Sequence, residues 1–591
     1  MKDANMEWLE GRGPERRCPA CHATQETERV LKIRSALPPR EELTLERCAA
    51  CGSAFFADFK EPAYETVWGG DAALSFYQEQ GAGIDVMLAS LYAVPHQGIE
   101  RFLEIGCGFG FSVDFASKIL GWKAHGIDPG PAARLGRELL GSSIDATYLS
   151  LDNADEREAV DLMLASEVIE HIADPDPFLA VLAAHLTGNG TVLLTTPNAD
   201  AVRPETSPAT LAPLLSAGYH VVLYSPKGLE AALRRAGFAG VVVADWGHSL
   251  RAAASHGTCD ADFTRPLDRT AYREYLARIA ASAEAGSALS LGMHGRLLKE
   301  LVNAGDYDAC EDTIAAVRAT LASRWGLDFD APETMPLDGP LPGSLDDLYR
   351  IHPFNLATLL YMTGTLALAR NRDEEAHARF AAAAKASDRV RAVLRAIGSD
   401  DGETEELGWR ARVYATAFDA RKSPDEAPAA LERLAVGADP LGERMPEPLL
   451  AKLRRDVFIG LVGEGHHMAA ERVAPRIEAS DLTEDERGVS LGFALGILEL
   501  NHRNSPKRAM NHFAGARERL DRMADGGPHE TGSFVWAVRY HEGMAALRAR
   551  ERSRGKTAME PLLTPDAAYG TPDPAVAEDA LKIARDYGLA R

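Results

Sequence analysis

The sequence predicts an α/β fold, a parallel sheet with helices on both faces, set between a small cysteine-bearing unit and an all-α half. Three observations predict it. Between residues 99 and about 250, short β-rich runs ("RFLEI", "KAHGID", "ATYLS", "DLMLAS", "TVLLTT", "GVVVAD") alternate with helical segments. Two C-x2-C pairs, "CPAC" and "CAAC", precede that stretch, separated by 26 residues. From about residue 265 the strand signal vanishes and helical patterns dominate.

A chain of 591 residues is too long for one core and suggests about three to five domains. The boundaries read as a tail (1–13), a cysteine ribbon (14–58), a helical cap (59–98), the α/β domain (99–250), linker helices (251–290) and a helical-repeat domain (291–591). A net charge of −23 argues against a main task of gripping nucleic acid, and favours a neutral or cationic ligand or a protein partner. Without a run of about 18 apolar residues, no membrane span is expected. The opening "MKDANMEWLEGRGPERR" is not a signal peptide, so a cytoplasmic location is expected.

That compartment bears on the seven cysteines, which then suggest metal binding and not disulfides. A C-x2-C pair sits in a knuckle whose turn points both sulfurs at one ion, and two knuckles complete a tetrahedral site. The candidate zinc ligands are Cys18, Cys21, Cys48 and Cys51; the alternative is four reduced cysteines without metal. Four protein ligands leave no open position, so this Zn2+ would be structural. Residues 14–60 hold eight Lys/Arg and seven Asp/Glu, with no basic stripe for a nucleic acid.

In the α/β stretch, "LEIGCGFGFS" runs from a strand through Gly106, Gly108 and Gly110 into a helix, the layout of a nucleotide-binding turn. A dinucleotide site wants a small residue three positions after Gly108, where this chain has Phe111. Glu104, two residues before the first glycine, would repel a phosphate but suits an ammonium group. The loop therefore favours a cofactor ending in an amino acid over NAD. Asp128, in "HGIDPG", ends the next strand, where a carboxylate can accept from both ribose hydroxyls; the alternative is a helix cap. Ser150, Leu151 and Asp152 lie where a loop can flank an adenine ring. The fourth strand opens into "SEVIEHI", toward the ligand-binding edge of the sheet.

In this order and spacing, "LEIGCGFG", "GIDPG", "LASEVIEHI" and "LLTTPN" resemble the class I S-adenosylmethionine-dependent methyltransferases, in particular a bacterial branch acting on small molecules and sugars. The resemblance covers about residues 99–245 and implies a Rossmann-like sheet of seven strands. It assigns Glu104 and the Gly106–Gly110 loop to the methionine end of S-adenosyl-L-methionine, and Asp128 to the ribose. Leu151 and Asp152 fall to the adenine, although the usual Gly-Asp pair is absent. Glu167 and Val168 match the segment beside the cofactor.

Methyl transfer to an alcohol or acidic carbon also removes a proton, so a base near neutral pKa would help. The candidates are His171 and His220, each with a structural histidine as its alternative; a histidine near the second position acts as base in ribbon-bearing sugar C-methyltransferases. Cys107 reads as small-residue packing. Tyr64, Trp68 and Tyr77 read as helix packing or as a lid over the cofactor.

In the helical half, Gly364, Ala376, Phe380 and Ala383 are spaced by 12, 4 and 3, and Gly496, Ala509, Phe513 and Ala516 repeat the pattern with one more residue in the turn. Small residues let antiparallel helices approach, and the phenylalanine is expected to fill the gap to the next pair. The pattern resembles the tetratricopeptide repeat, with a generic helical bundle as the alternative. The leading reading is thus methyl transfer to a hydroxyl or carbon of a small molecule, a sugar, sugar nucleotide or glycan intermediate first, with the repeats serving docking or self-association. Its rivals are an interaction protein with a non-catalytic core and a protein methyltransferase recruiting substrate through the repeats.

Overall fold

The computed structural model describes residues 6–37, 40–56, 59, 62, 70–149, 158–436, 440–524, 532–563 and 574–588. Its contacts divide the chain into two compact units, Met1–Gly408 and Trp409–Arg591.

Seven strands form the central sheet of the first unit: β6 (Arg101–Ile105), β7 (Lys123–Ile127), β8 (Ile144–Asp145), β9 (Val160–Ser166), β10 (Leu186–Pro197), β12 (Gly240–Trp246) and β13 (Ser249–Ser255). Their order is β12-β13-β10-β9-β6-β7-β8. The stretches Phe102–Leu103 of β6, Leu162–Ala165 of β9 and Val192–Leu194 of β10 are apolar on both faces because both faces are covered. Successive side chains go to opposite faces. Phe102, Leu162, Leu164, Leu193 and Ala253 join one core, while Leu103, Met163, Ala165, Leu194 and Ala252 join the other.

The sheet is mixed and not wholly parallel, since β13 runs antiparallel to both β10 and β12. Sequence patterning misses β13, "SLRAAAS", because alanine is a weak strand former; Gly247, at φ 76°, turns the hairpin. The third strand is also displaced. It is only Ile144–Asp145, two residues ahead of the expected "ATYLS", and pairs with the end of β7.

Helices α1 (Asp71–Phe76), α2 (Ile84–Leu91), α3 (Phe111–Lys118), α4 (Pro131–Leu140), α5 (Pro175–Ala184), α6 (Pro208–Leu215) and α7 (Pro226–Arg235) surround or join these strands. They are followed by α8 (Arg269–Ser282), α9 (Ala288–Asn303), α10 (Cys310–Trp325), α11 (Leu345–Ile351), α12 (Leu356–Ala369) and α13 (Asp373–Ala396).

The cysteine region builds a second sheet from β1 (Met6–Trp8), β2 (Arg12–Arg17), β3 (Thr24–Arg34), β4 (Glu42–Cys48), β5 (Ala54–Phe56) and β11 (Val222–Leu223). Part of the expected 1–13 tail is thus strand, with Met6–Trp8 paired to β3. More consequentially, β11 comes from the α/β domain and pairs with β5. A segment of the α/β domain next to His220 therefore shares backbone hydrogen bonds with the ribbon.

The α12–α13 hairpin seats the Phe380 ring about 3.0 Å from where a Cβ on Gly364 would stand. In the second unit, Glu486–Ile497 and Pro506–Ala524 repeat this with Phe513 against Gly496 at 2.5 Å. The rings fill the gap inside their own helix pair, where it was expected between pairs. Phe513 additionally reaches His541 of the following helix, 5.6 Å between centroids.

Candidate cofactor and acceptor site

The glycine loop crosses the carboxyl ends of β6, β7 and β9. Gly106, Gly108 and Gly110 all take left-handed backbone angles, with φ of 68°, 52° and 83°, which other residues adopt only at a cost. Space excludes side chains as well. A Cβ on Gly106 would stand 2.5 Å from Val168 Cγ2, and one on Gly108 would stand 2.6 Å from the Tyr77 hydroxyl. Val168 therefore packs directly on the loop. Cys107 is buried, with Sγ 2.7 Å from where a Gly126 Cβ would be, which accounts for a small residue there.

Asp128 holds the loop from the end of β7. Its Oδ2 accepts from Gly108 N at 3.0 Å and its Oδ1 from Gly130 N at 2.6 Å. Each oxygen keeps a further lone pair for a ribose hydroxyl. Beneath the loop Glu104 is 1% exposed, and its Oε2 has no hydrogen-bond partner among the described residues. Burial, reinforced by the Asp128 charge, pushes its carboxyl up to about 8. An unpartnered buried carboxylate oxygen is costly on its own. An ammonium group would satisfy it, so these residues fit a cofactor with an amino-acid end. Leu151 and Asp152, and with them Ser150, Tyr64 and Trp68, lie outside the described residues.

Where β9 ends, Glu167 is a non-glycine residue at φ 55°, a strained conformation of the kind that clusters at functional sites. Its backbone N donates to Thr195 O at 2.9 Å, and its Oε1 accepts from the Thr195 hydroxyl at 2.8 Å. The next turn presents Glu170, fully buried, with Oε2 accepting from Thr196 at 2.9 Å. Burial raises both carboxyls, and the Glu167 charge raises Glu170 further.

The structure brings the two histidines together across 49 residues of sequence. Val221 N donates to Glu170 O at 2.8 Å, and the rings of His171 and His220 meet edge to face with centroids 4.8 Å apart. His171 Nδ1 donates to Tyr219 O at 3.1 Å and His220 Nδ1 to Leu214 O at 2.9 Å. A carbonyl can only accept, so in neutral His220 Nε2 carries the lone pair, whereas the His171 ring has two carbonyls beside it, those of Tyr219 and Glu167. The Nε2 atoms of His171 and His220 lie 3.9 and 4.0 Å from Glu170 Oε1. The His220 side chain is 8% exposed and that of His171 is 21%, so His171 is nearer solvent. Burial lowers both, His220 to about 3. The Glu170, His171 and His220 ligand atoms lie within 4.8 Å of one another, a spacing that would also admit a cation.

The cysteine cluster is separate. Cys18 and Cys51 sulfurs are 3.7 Å apart, as are those of Cys21 and Cys48, and all four lie within 4.8 Å. Tetrahedral zinc with Zn–S bonds of about 2.3 Å requires sulfurs about 3.8 Å apart, so the cluster fits that ion. Each knuckle turns on a left-handed residue after its second cysteine, Gly52 at φ 87° and His22 at φ 63°. Only Gly52 was legible as a glycine in the sequence. His22 is held by Arg17 at 2.8 Å and Asp176 at 3.3 Å.

Sequence reasoning missed what the "YSPKGL" segment does. The Ser225 hydroxyl donates to Cys51 O at 2.5 Å and accepts from Gly228 N at 3.0 Å, so the cap of α7 is also the dock of the second knuckle. A Cβ on Gly228 would stand 2.0 Å from Ser53 Oγ. Ser-Pro-x-Gly at a helix start was the available signal; its partner 174 residues away was not.

Residues 55–243 match the family described as a methyltransferase domain. Over 102 residues the chain is 37% identical to the ubiquinone biosynthesis O-methyltransferase of Bradyrhizobium diazoefficiens, covering 17% of this chain and 40% of that protein. The protein of the same name from Nitrobacter winogradskyi is 38% identical over 102 residues, covering 17% of this chain and 39% of the relative. The chain thus spans about two fifths of the length of these curated relatives. Among solved structures, an O-methyltransferase family protein from Burkholderia thailandensis is similar at a TM-score of 0.27 and 16% identity, over 34% of this chain and 65% of that one.

Proposed function

From the premise that the chain carries a class I S-adenosylmethionine-dependent methyltransferase domain, we propose that it methylates a hydroxyl oxygen of a small molecule. One observation carries this reading. A buried carboxylate with an unpartnered oxygen, Glu104, lies under a three-glycine loop held by Asp128, at the sheet edge that also presents His171. The cofactor supplies a methyl group on a positively charged sulfur.

The chain's own residues do the rest. Glu104 pairs with the ammonium end, Asp128 accepts from the ribose hydroxyls, and Glu167 with Val168 walls the side of the pocket toward β9. His171 takes the acceptor's proton at its unprotonated ring nitrogen: burial keeps the ring neutral, and the carbonyls of Tyr219 and Glu167 aim it. Glu170 Oε1 lies 3.9 Å from His171 Nε2, and His220 packs edge to face on the His171 ring. Holding acceptor and donor in line supplies much of the remaining acceleration.

The name of the relatives favours oxygen over carbon as the acceptor atom. A sugar, sugar nucleotide or glycan hydroxyl is the first class to test. The four cysteines hold a structural zinc in this reading, and the helical hairpins, tetratricopeptide-like in spacing, form a docking surface. The test is a screen of sugars, sugar nucleotides and phenols that measures released S-adenosylhomocysteine. Cofactor binding without release on any hydroxylated acceptor, alongside methylation of a protein, would replace this reading with the protein-methyltransferase one.

A further inference from the structure

The sheet's glycine loop and the helices from residue 288 onward meet at one short element. Residues Tyr77–Gly81 form a π-helical turn, a rare conformation that recurs at functional sites. At its start the Tyr77 hydroxyl sits on Gly108 and accepts from the backbone N–H of Phe109. Its ring lies 6.5 Å from Phe111, nearly parallel. Tyr77, partly buried, lies close enough to Glu104 and Asp128 for both charges to push its hydroxyl further up. It therefore faces the same space as the two acids assigned to the cofactor.

The rest of the turn is gripped from behind. Helix α9 approaches so closely that a Cβ on Gly292 would stand 2.2 Å from Gln78 O, and Arg296 Nη1 donates to that oxygen at 2.7 Å. Glu79, 2% exposed, accepts from Tyr349 Oη at 3.0 Å and from Phe354 N at 2.7 Å. Gln80 Nε2 donates to Asp401 at 3.3 Å and to Thr404 at 3.2 Å. Phe76, just ahead of the turn, meets Phe354 edge to face at 5.4 Å. Three successive residues of one turn are thus fixed by three separate parts of the helical segment. Ordinary amphipathic packing needs only an apolar stripe. It does not need a missing Cβ over a carbonyl or a buried carboxylate spanning 270 residues of sequence.

We infer that the helical segment 288–404 is a working part of the cofactor site: it holds the Tyr77–Gly81 turn so that Tyr77 closes a wall of the pocket over the glycine loop. Tyr77 is then a cofactor-binding residue, and Gly292, Arg296 and Glu79 are positioning residues that act through it. The inference rests on the methyltransferase reading of the loop and adds a role for helices outside the 55–243 match.

The experiment uses the full chain, with S-adenosylhomocysteine binding by calorimetry and hydrogen exchange of residues 105–112 without ligand. Tyr77→Phe removes the hydroxyl and keeps the ring; loss of one hydrogen bond weakens binding about three- to ten-fold. Arg296→Met keeps the aliphatic stem and releases Gln78; it is expected to weaken binding similarly and speed exchange in the loop. If Arg296 acts through Tyr77, the double variant binds no more weakly than the worse single one. Glu79→Gln, whose amide oxygen can accept from Phe354 N while its NH2 donates to the Tyr349 hydroxyl, should retain parental affinity, whereas Glu79→Ala should not. A parent that binds while both single variants match it, or single effects that simply add, would overturn the inference. A parent that does not bind the ligand overturns the methyltransferase reading itself.

Discussion

Glu104 offers the sharpest test of the cofactor assignment because its charge state and that of its partner can be set from outside. Burial raises its folded carboxyl from 4.5 to about 8. Ionising it therefore costs the ligand-free protein stability as pH rises from about 4.5, and the full cost, about 5 kcal/mol, is reached above pH 8. An ammonium group seated on Oε2 would relieve that cost. Binding then selects protein with Glu104 ionised and ligand with its amino group protonated, the free α-amino group having a pKa of about 8.

The competent fraction follows directly. At pH 6 Glu104 is ionised in about one molecule in a hundred, with the ligand fully protonated. At pH 8 half of each is competent, about a quarter together, and at pH 10 the fraction returns to about one in a hundred. Affinity for S-adenosylhomocysteine, which keeps the amino group, should rise about 25-fold from pH 6 to 8 and fall by the same factor by pH 10. Calorimetry in buffers of different ionisation enthalpy should show proton release below pH 8. Glu104→Gln should bind more weakly and lose the acid limb while keeping the alkaline one. A flat profile between pH 6 and 8 in the parent, or an acid limb that survives Glu104→Gln, refutes the pairing.

Asp128→Ala removes the clamp on Gly108 N and the acceptor proposed for the ribose hydroxyls, and should weaken cofactor binding at least about ten-fold by calorimetry. His171→Ala should leave cofactor affinity intact and cut turnover about 100-fold, the scale of one proton-transfer catalyst, with His220→Ala smaller; equal rates for His171→Ala and parent would remove it as base. The buried His220, with its pKa lowered from 6.5 to about 3, binds its proton only in the unfolded chain as pH falls below 6.5. Parent stability should drop by about 2 kcal/mol between pH 6.5 and 5 through this group, and His220→Gln should flatten that slope in urea titrations. Metal analysis should find about one zinc per chain, and Cys51→Ser should lower the melting temperature because the second knuckle docks on Ser225. Gly496→Val, with a Cβ 2.5 Å from the Phe513 ring, should destabilise by about 1–3 kcal/mol in chemical denaturation.

Local chemistry is what the sequence by itself determined. Two C-x2-C pairs, three glycines with Glu104 ahead of them, and Asp128 at a strand end are each defined within a few residues, so spacing alone exposes them. The short apolar runs inside β9 and β10 likewise announce a sheet buried on both faces. Tertiary structure decided everything that depends on partners far along the chain. It joined His171 to His220 across Glu170, docked Cys51 on Ser225, extended the ribbon with β11, and clasped the Tyr77–Gly81 turn between α9 and Phe354. It also added β13, whose alanines carry no strand pattern and which exists because β10 and β12 pair with it. The physical reason is common to all of these. Backbone propensity and motif spacing are short-range, whereas burial of a carboxylate or the absence of room for a Cβ depends on what distant segments bring to the same place.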